Sequence, residues 1–183
     1  MTPPAAQRGM AAPGEPKGEI RFRAIGVIRS PFATPEGTPI QPGGAAGVRG
    51  RVVVLPDYQE ALEDLEGFSH VILLYHFHRA RAFTPKVTPF LDTAQRGLFA
   101  TRAPSRPNAI GISTVRLVAV RQGTLEVEGI DVVDGTPLLD IKPYVPQFDA
   151  HPADRIGWMS AAVRAAGEVR ADGRFAGGPP EDG

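Results

Sequence analysis

Two arginines lie four residues apart in a proline-rich run, "GLFATRAPSRPNAIGIS" (97–113). One proline stands between Arg102 and Arg106 and another directly follows Arg106. Because proline fixes φ, this backbone holds its side chains at a reduced entropic cost. Guanidinium groups suit phosphate or carboxylate, and Asn108 offers both donors and acceptors. The run therefore predicts a preorganised grip for a polar ligand; the alternative is a surface loop anchored by an ion pair.

An acidic cluster follows in "GIDVVDGTPLLDIKPY" (129–144). Asp131 and Asp140 adjoin apolar residues, so we expect both to be partly buried. A buried carboxylate needs a partner, which could come from Arg102, Arg106 or Lys142. Asp134 precedes a glycine and favours a turn. The sequence leaves open whether the paired carboxylates are structural or bind a ligand.

Other kinds of site have weaker support. His70, His76 and His78 have the same parity in one apolar stretch and could share a face. Histidines that bind a metal need neighbouring groups, often carboxylates, that orient their rings by hydrogen bonds. The sequence has no H-E-x-x-H motif and no carboxylate near these histidines, so we predict no metal. Without cysteine, disulfides and thiolate sites are excluded. Neither glycine-rich phosphate motif nor G-x-S-x-G occurs.

Composition suits one domain with a packed core: 183 residues, of which 42% are hydrophobic. The 20 basic and 20 acidic side chains cancel, so net charge does not indicate a nucleic-acid binder. The charge is nevertheless uneven: residues 79–121 carry a net +7 and residues 122–149 a net −5. No apolar run reaches membrane-spanning length and the N-terminus lacks a secretory signal, so we expect a cytoplasmic protein.

The elements that must position these residues are mostly strands. Apolar patterning predicts strands over 22–30, 51–56, 70–79, 112–121, 124–133 and 138–146. The strand over 70–79 is apolar almost throughout, so we expect it to be buried on both faces. Helices are predicted over 57–68 and 154–166, and a long loop over 33–47.

The order of the elements favours a mainly β protein with minor α structure. Short strands without regular β-α alternation predict a small β-barrel rather than a Rossmann domain. Three segments are predicted: a disordered N-terminal tail (1–18), a β-barrel domain (19–150), and a C-terminal helix with a flexible tail (151–183).

Five motifs in order carry a resemblance to a known family: "IGVIRSPF", "IQPG", "GFSHVILLYHFHR", "GLFATRAPSRPNAIGIS" and "DVVDGTPLLDIKPYVP". They resemble the tRNA threonylcarbamoyladenosine N6-methyltransferase family, also called TsaA-like or VirR-like, over about 25–146. The resemblance implies a β-barrel methyltransferase that binds S-adenosylmethionine without a Rossmann domain and works as a homodimer. It also implies a reaction: methylation of N6 of threonylcarbamoyladenosine next to the anticodon of tRNA.

The resemblance also assigns residues. It implies cofactor binding by Pro42, Gly43, Gly44, His78, Arg79, Arg102, Ile112, Glu128, Gly129, Ile130 and Asp131. Asp131 and His78 are the candidate catalytic proton acceptors, and Arg106 and Asn108 the candidate substrate-binding residues.

The sequence departs from the family pattern at a few positions. Ala103 stands where the family often has serine, Ala109 where it often has proline, and Arg79 where some members have a neutral side chain. Longer members carry an additional C-terminal domain after the barrel. Two alternatives therefore stay open: a methyltransferase of this fold with another substrate, such as a small molecule, or a non-catalytic S-adenosylmethionine-binding module.

Overall fold

The computed structural model describes residues 18–177, which form a closed six-stranded antiparallel barrel with irregular segments around it. The strands around the barrel run in the order β1-β2-β7-β6-β3-β8, and β4 and β5 form a separate two-stranded sheet. Their bounds are β1 Gly26–Arg29, β2 Arg49–Val54, β3 His70–His76, β4 Lys86–Val87, β5 Arg96–Gly97, β6 Ile110–Arg121, β7 Thr124–Glu128 and β8 Thr136–Pro143. The predicted mainly β barrel class is confirmed.

Alternate residues of the strands fill the barrel, as the period of two requires. The largest buried side chains include Ile28, Val52, Leu73, Leu125 and Leu138. The β3 strand was expected to be buried on both faces, and this prediction is wrong in part. Its inward residues are buried, whereas Ile72 and Leu74 on the outer face are half-buried, because no second layer covers that face completely.

The segments predicted as strands over 112–121 and 124–133 contain β6 and β7, which pair as a hairpin. Gln122 and Gly123 both have positive φ, 49° and 74°, as a tight two-residue turn between twisted strands requires. The strand pairing also shows how the uneven charge of the sequence is distributed on the barrel. Glu128 on β7 stands opposite Arg49 of β2 on one side and Arg116 of β6 on the other. Acidic and basic side chains are therefore interleaved across these three strands.

The two predicted helices do not form as α-helices. The region of the helix predicted over 57–68 forms two 3₁₀ segments, Pro56–Leu62 and Leu65–Gly67. Asp64, which lies between them, adopts a left-handed conformation (φ 63°) and so interrupts a continuous helix. Tyr58, Leu62 and Leu65 still pack against the barrel core, so the apolar stripe is used without the helix.

The second predicted helix, 154–166, is also replaced by 3₁₀ turns, at Gly157–Ala161 and Val163–Ala165. Gly157 at its start has φ 58°, which interrupts a regular helix. Within residues 18–177 the α-helical structure is one turn, Pro146–Asp149 (α1). No helix in this range has the length and apolar character needed to cross a membrane.

The chain ends are described in part. The predicted N-terminal tail falls outside the described residues except for Gly18, and the last part of the predicted C-terminal tail, 178–183, also falls outside. The first strand begins at Gly26 rather than at the expected residue 22, and Ile20 and Phe22 before it are exposed. Residues 151–177 lie against the rest of the structure through several backbone hydrogen bonds, described below.

Candidate functional site

A cavity of about 370 Å³ lies beside the barrel, where several loops meet. Its lining comes from residues within the stretches 35–41, 75–80, 89–91, 101–104, 131–136 and 156–176. Most of these side chains are apolar, among them Phe77, Phe90 and Trp158. The charged and titratable groups of the lining are Tyr75, His78, Arg79, Arg102 and Asp131. An apolar cavity with a few converging polar groups is typical of a small-molecule site.

The C-terminal segment forms one wall of this cavity. Its backbone pairs with the loop after β1: the Gly37 amide donates to Ala171 O (2.8 Å), and the Ala171 amide to Thr38 O (2.9 Å). It also pairs with the chain after β3, where the Gly177 amide donates to Arg79 O (2.7 Å).

Two side chains add to these backbone contacts. The Trp158 indole donates to Ala100 O (2.9 Å), and the Arg174 guanidinium donates to two carbonyls before Phe90. Sequence reasoning treated this segment as a helix and a tail and missed its place at the site. The signal was its aromatic residues, Trp158 and Phe175, in a stretch otherwise rich in glycine, alanine and charge.

Asp131 lies in the turn between β7 and β8 and its carboxylate is largely shielded from solvent. Burial raises its pKa from the ordinary 3.8 to about 6, although a hydrogen bond from Ser113 and the charge of Arg102 act in the opposite direction. The Ser113 hydroxyl donates to Oδ1 at 2.6 Å. Of the three partners that the sequence offered, Arg102 acts on Asp131 through its charge, and Lys142 pairs with Asp140 (2.8 Å). Ser113, which the sequence did not suggest, supplies the hydrogen bond to Asp131. At neutral pH the Asp131 carboxylate is ionised.

The two arginines of the proline-rich run have different environments. Arg102 is exposed at the cavity and close enough to affect the pKa of both Asp131 and Tyr75. Arg106 is half-buried and donates to its own loop, at Thr101 O (3.1 Å) and Ala103 O (3.3 Å). Its guanidinium also lies over the Phe99 ring, 5.5 Å from the centroid. Arg102 thus presents its charge to the cavity, and Arg106 stabilises the loop that carries Arg102.

His78 lies two residues after the end of β3, also in the cavity lining. Burial and the neighbouring charges of Arg79 and His76 lower its pKa, so its ring is neutral at physiological pH. The Thr136 hydroxyl donates to Val133 O (2.6 Å), and its oxygen lies 3.5 Å from His78 Nδ1. A neutral imidazole keeps one basic ring nitrogen, which can accept a proton.

Most of the sequence that forms this site matches the model of a described protein family. Residues 27–150 match the model of the tRNA-methyltransferase O N-terminal domain. The chain belongs to this family. The predicted resemblance is therefore confirmed.

Relatives and solved structures of this family differ in how much of their length the chain spans. A probable S-adenosyl-L-methionine-binding protein of Pyrococcus abyssi is 51% identical over 156 residues, with 85% of each chain covered. The human tRNA (adenine(37)-N6)-methyltransferase is 37% identical over 155 residues, which cover 81% of this chain and 35% of the human protein. The crystal structure of TrmO from Pseudomonas aeruginosa aligns with a TM-score of 0.64 and 45% identity, over 77% of this chain and 63% of that one.

The structure brings four of the residues assigned by family resemblance to one cavity: His78, Arg79, Arg102 and Asp131. The others do not line it. Pro42, Gly43 and Gly44 form a 3₁₀ turn just beyond Gln41, which is the last lining residue of that loop.

The remaining assigned residues lie on other faces. Ile112 is 57% exposed on the outer face of β6, because its neighbours Gly111 and Ser113 take the inward positions. Ile130 is fully buried in the barrel core. Glu128 is the last residue of β7, and Gly129 follows it. Asn108 is exposed and does not line the cavity. The cofactor and substrate roles of these residues stay predictions.

Among residues 18–177, no group of three or more histidine, aspartate or glutamate side chains is placed to hold a metal ion. The metal alternative considered for His70, His76 and His78 has no support from their geometry.

Proposed function

We propose that this protein transfers a methyl group from S-adenosylmethionine to N6 of threonylcarbamoyladenosine next to the anticodon of tRNA. Family membership and the tRNA (adenine(37)-N6)-methyltransferase among its human relatives support this reaction. The observation that carries the proposal is the ionised Asp131 carboxylate at an otherwise mostly apolar cavity, beside Arg102. That combination suits a ligand with apolar surface, positive charge and a carboxylate.

The residues present fit S-adenosylmethionine. A cavity of about 370 Å³ is within the range for ligands of this kind. Asp131 would attract the methionine ammonium, Arg102 would bind the methionine carboxylate, and Phe77 and Phe90 supply apolar surface. When bound, S-adenosylmethionine supplies the electrophilic methyl group, so the protein's own task is alignment and proton handling.

Two groups of the chain are able to accept the proton that N6 loses. Asp131 is ionised at neutral pH, and His78 is neutral with a free basic nitrogen. Both line the same cavity, so either can act as the general base without rearrangement of the fold.

A second candidate function is a non-catalytic S-adenosylmethionine-binding module. It is favoured by the Pyrococcus abyssi relative, which is named only for binding and is covered over most of its length. Mass spectrometry of tRNA nucleosides from cells with and without the gene separates the two. Loss of the N6-methylated nucleoside on deletion supports the methyltransferase, and an unchanged nucleoside profile contradicts it.

The purified protein is expected to bind S-adenosylmethionine and S-adenosylhomocysteine with comparable affinity and without metal. The reason is that Arg102, Asp131 and the apolar walls address parts common to both ligands. Isothermal calorimetry in the presence of a chelator measures this. Absence of binding heat and of competition at millimolar ligand would contradict it.

We also propose that the protein is a cytoplasmic homodimer. Large apolar side chains are exposed outside the cavity, among them Phe99 (77% exposed) and Ile112 (57%), and a second copy would cover such a surface by a two-fold contact. Light scattering is expected to give twice the chain mass at micromolar concentration with cofactor present. A monomer mass across that range would refute the dimer.

A further inference from the structure

Three polar side chains form a chain through the barrel interior and end at the cavity. Tyr75 on β3 is 3% exposed and Ser113 on β6 is 2% exposed, and both lie among apolar core residues. The Tyr75 hydroxyl and Ser113 Oγ are 3.0 Å apart, and Ser113 Oγ lies 2.6 Å from Asp131 Oδ1.

The donors and acceptors fix the direction of this chain. An ionised carboxylate has no proton to donate, so the Ser113 hydroxyl donates to Asp131. Ser113 has a single hydroxyl proton, so the Tyr75 hydroxyl must donate to Ser113 Oγ. Burial and the Asp131 charge raise the pKa of Tyr75 far above its usual range, which keeps this donor protonated.

The fold builds the chain with a specific backbone position. Tyr75 pairs with Gly111 in the register of β3 and β6, and a Cβ at Gly111 would overlap the Tyr75 ring. Because glycine leaves this space free, the ring lies across Gly111 and its hydroxyl reaches Ser113, two residues further along β6. Phe77 holds the same ring edge-to-face, with centroids 5.3 Å apart.

A polar chain of this kind is costly in a barrel core, where each group loses hydration and needs a partner. All of its members are satisfied, since the described residues contain no buried side-chain nitrogen or oxygen atom without a hydrogen-bond partner. Ser113 itself does not line the cavity, so its contribution to the site passes through Asp131.

We propose that Tyr75 and Ser113 are positioning residues that orient the Asp131 carboxylate toward the cavity for methyl transfer. This inference rests on the proposed function. The charged and titratable groups that share the cavity with Asp131 are Tyr75, His78, Arg79 and Arg102. The C-terminal wall and the loop 35–41 contribute none, so the pH response of Asp131 depends on this small set.

Ser113→Ala tests the proposal. Removing a hydrogen bond that lowers the Asp131 pKa is expected to move the acid limb of the kcat/KM–pH profile to higher pH. It is also expected to lower kcat/KM at neutral pH by about 10-fold, because the loss of one hydrogen bond to a charged group has an effect of about this size. Tyr75→Phe should move the limb in the same direction by less, and Ser113→Thr, which keeps the hydroxyl, should restore the wild-type limb.

A matched control and a second readout separate this role from general stability. Ser105 is also 2% exposed but does not contact Asp131, so Ser105→Ala should change the melting temperature without moving the pH profile. The Asp131 carboxyl can be titrated by carbon NMR in the free protein, where Ser113→Ala is expected to raise its pKa. An unchanged Asp131 titration in folded Ser113→Ala would overturn the proposal. Because this titration needs neither cofactor nor substrate, its failure is distinct from failure of the proposed function.

Discussion

Asp131→Asn is expected to lower kcat/KM for methyl transfer by about 10²-fold or more. Asparagine has the same shape and can still accept the Ser113 hydrogen bond, but it carries no charge and cannot accept a proton. General acid–base catalysis by one group typically contributes roughly 10²- to 10⁴-fold. Steady-state kinetics with tRNA substrate measure the loss, with Asp57→Asn, at an exposed carboxylate, as the matched control.

The same variant is expected to be more stable than the wild type at neutral pH. The folded-state pKa of Asp131 is raised from 3.8 to about 6, so the folded protein binds this proton more tightly than the unfolded chain. The wild type therefore loses this contribution to its unfolding free energy as the pH rises from about 4 to about 6. At pH 7 the difference reaches at most about 3 kcal/mol in favour of Asp131→Asn, and near pH 4 it falls below about 1 kcal/mol.

Denaturant unfolding of both proteins at pH 4 and pH 7 checks the sign. Comparison of the two proteins cancels the contributions of the other carboxylates. An Asp131→Asn protein that keeps full activity and is less stable at pH 7 would show that the carboxylate is a structural partner and takes no part in methyl transfer.

Arg102→Ala is expected to weaken cofactor binding by roughly 10- to 150-fold, because one charge-assisted hydrogen bond to the cofactor would be lost. The melting temperature of the free protein should fall only slightly, because this side chain is exposed, makes no hydrogen bond or ion pair within residues 18–177, and acts on Asp131 only through its charge. Calorimetry and thermal unfolding on the same preparation measure both quantities.

Arg106→Ala should behave in the opposite way. It removes two hydrogen bonds to loop carbonyls and the contact with Phe99, so we expect a lower melting temperature, by a destabilisation of about 1–3 kcal/mol. The substrate role predicted for Arg106 would appear as a further rise in KM for tRNA.

A destabilised Arg102→Ala that binds cofactor normally once folded would contradict the assignment of Arg102 to the ligand.

The strands and the polar loop could be predicted from the sequence because their signals are local. Alternation over 112–121 and the Gln122–Gly123 turn specify β6 and its hairpin without reference to the rest of the chain. The apolar stripe over 57–68 was equally clear, but a left-handed Asp64 and packing against the barrel converted it to 3₁₀ turns. Tertiary packing there outweighs helix propensity.

The composition of the site was harder to predict because it depends on contacts between distant segments. Strand parity explains why Ile112 faces outward and Ser113 inward, yet only the barrel shows that Ser113 meets Tyr75 and Asp131. The C-terminal wall pairs residues more than 80 positions apart, as between Arg79 and Gly177, and no local pattern encodes such a pairing.

The most direct test of the account is methyl transfer by the purified protein. Unmethylated tRNA from cells lacking the gene is incubated with S-adenosylmethionine and the protein, and its nucleosides are analysed by mass spectrometry. The account predicts that threonylcarbamoyladenosine gains one methyl group at N6 with the wild type and gains almost none with Asp131→Asn. A wild-type protein that binds S-adenosylmethionine but leaves this nucleoside unmethylated would contradict it.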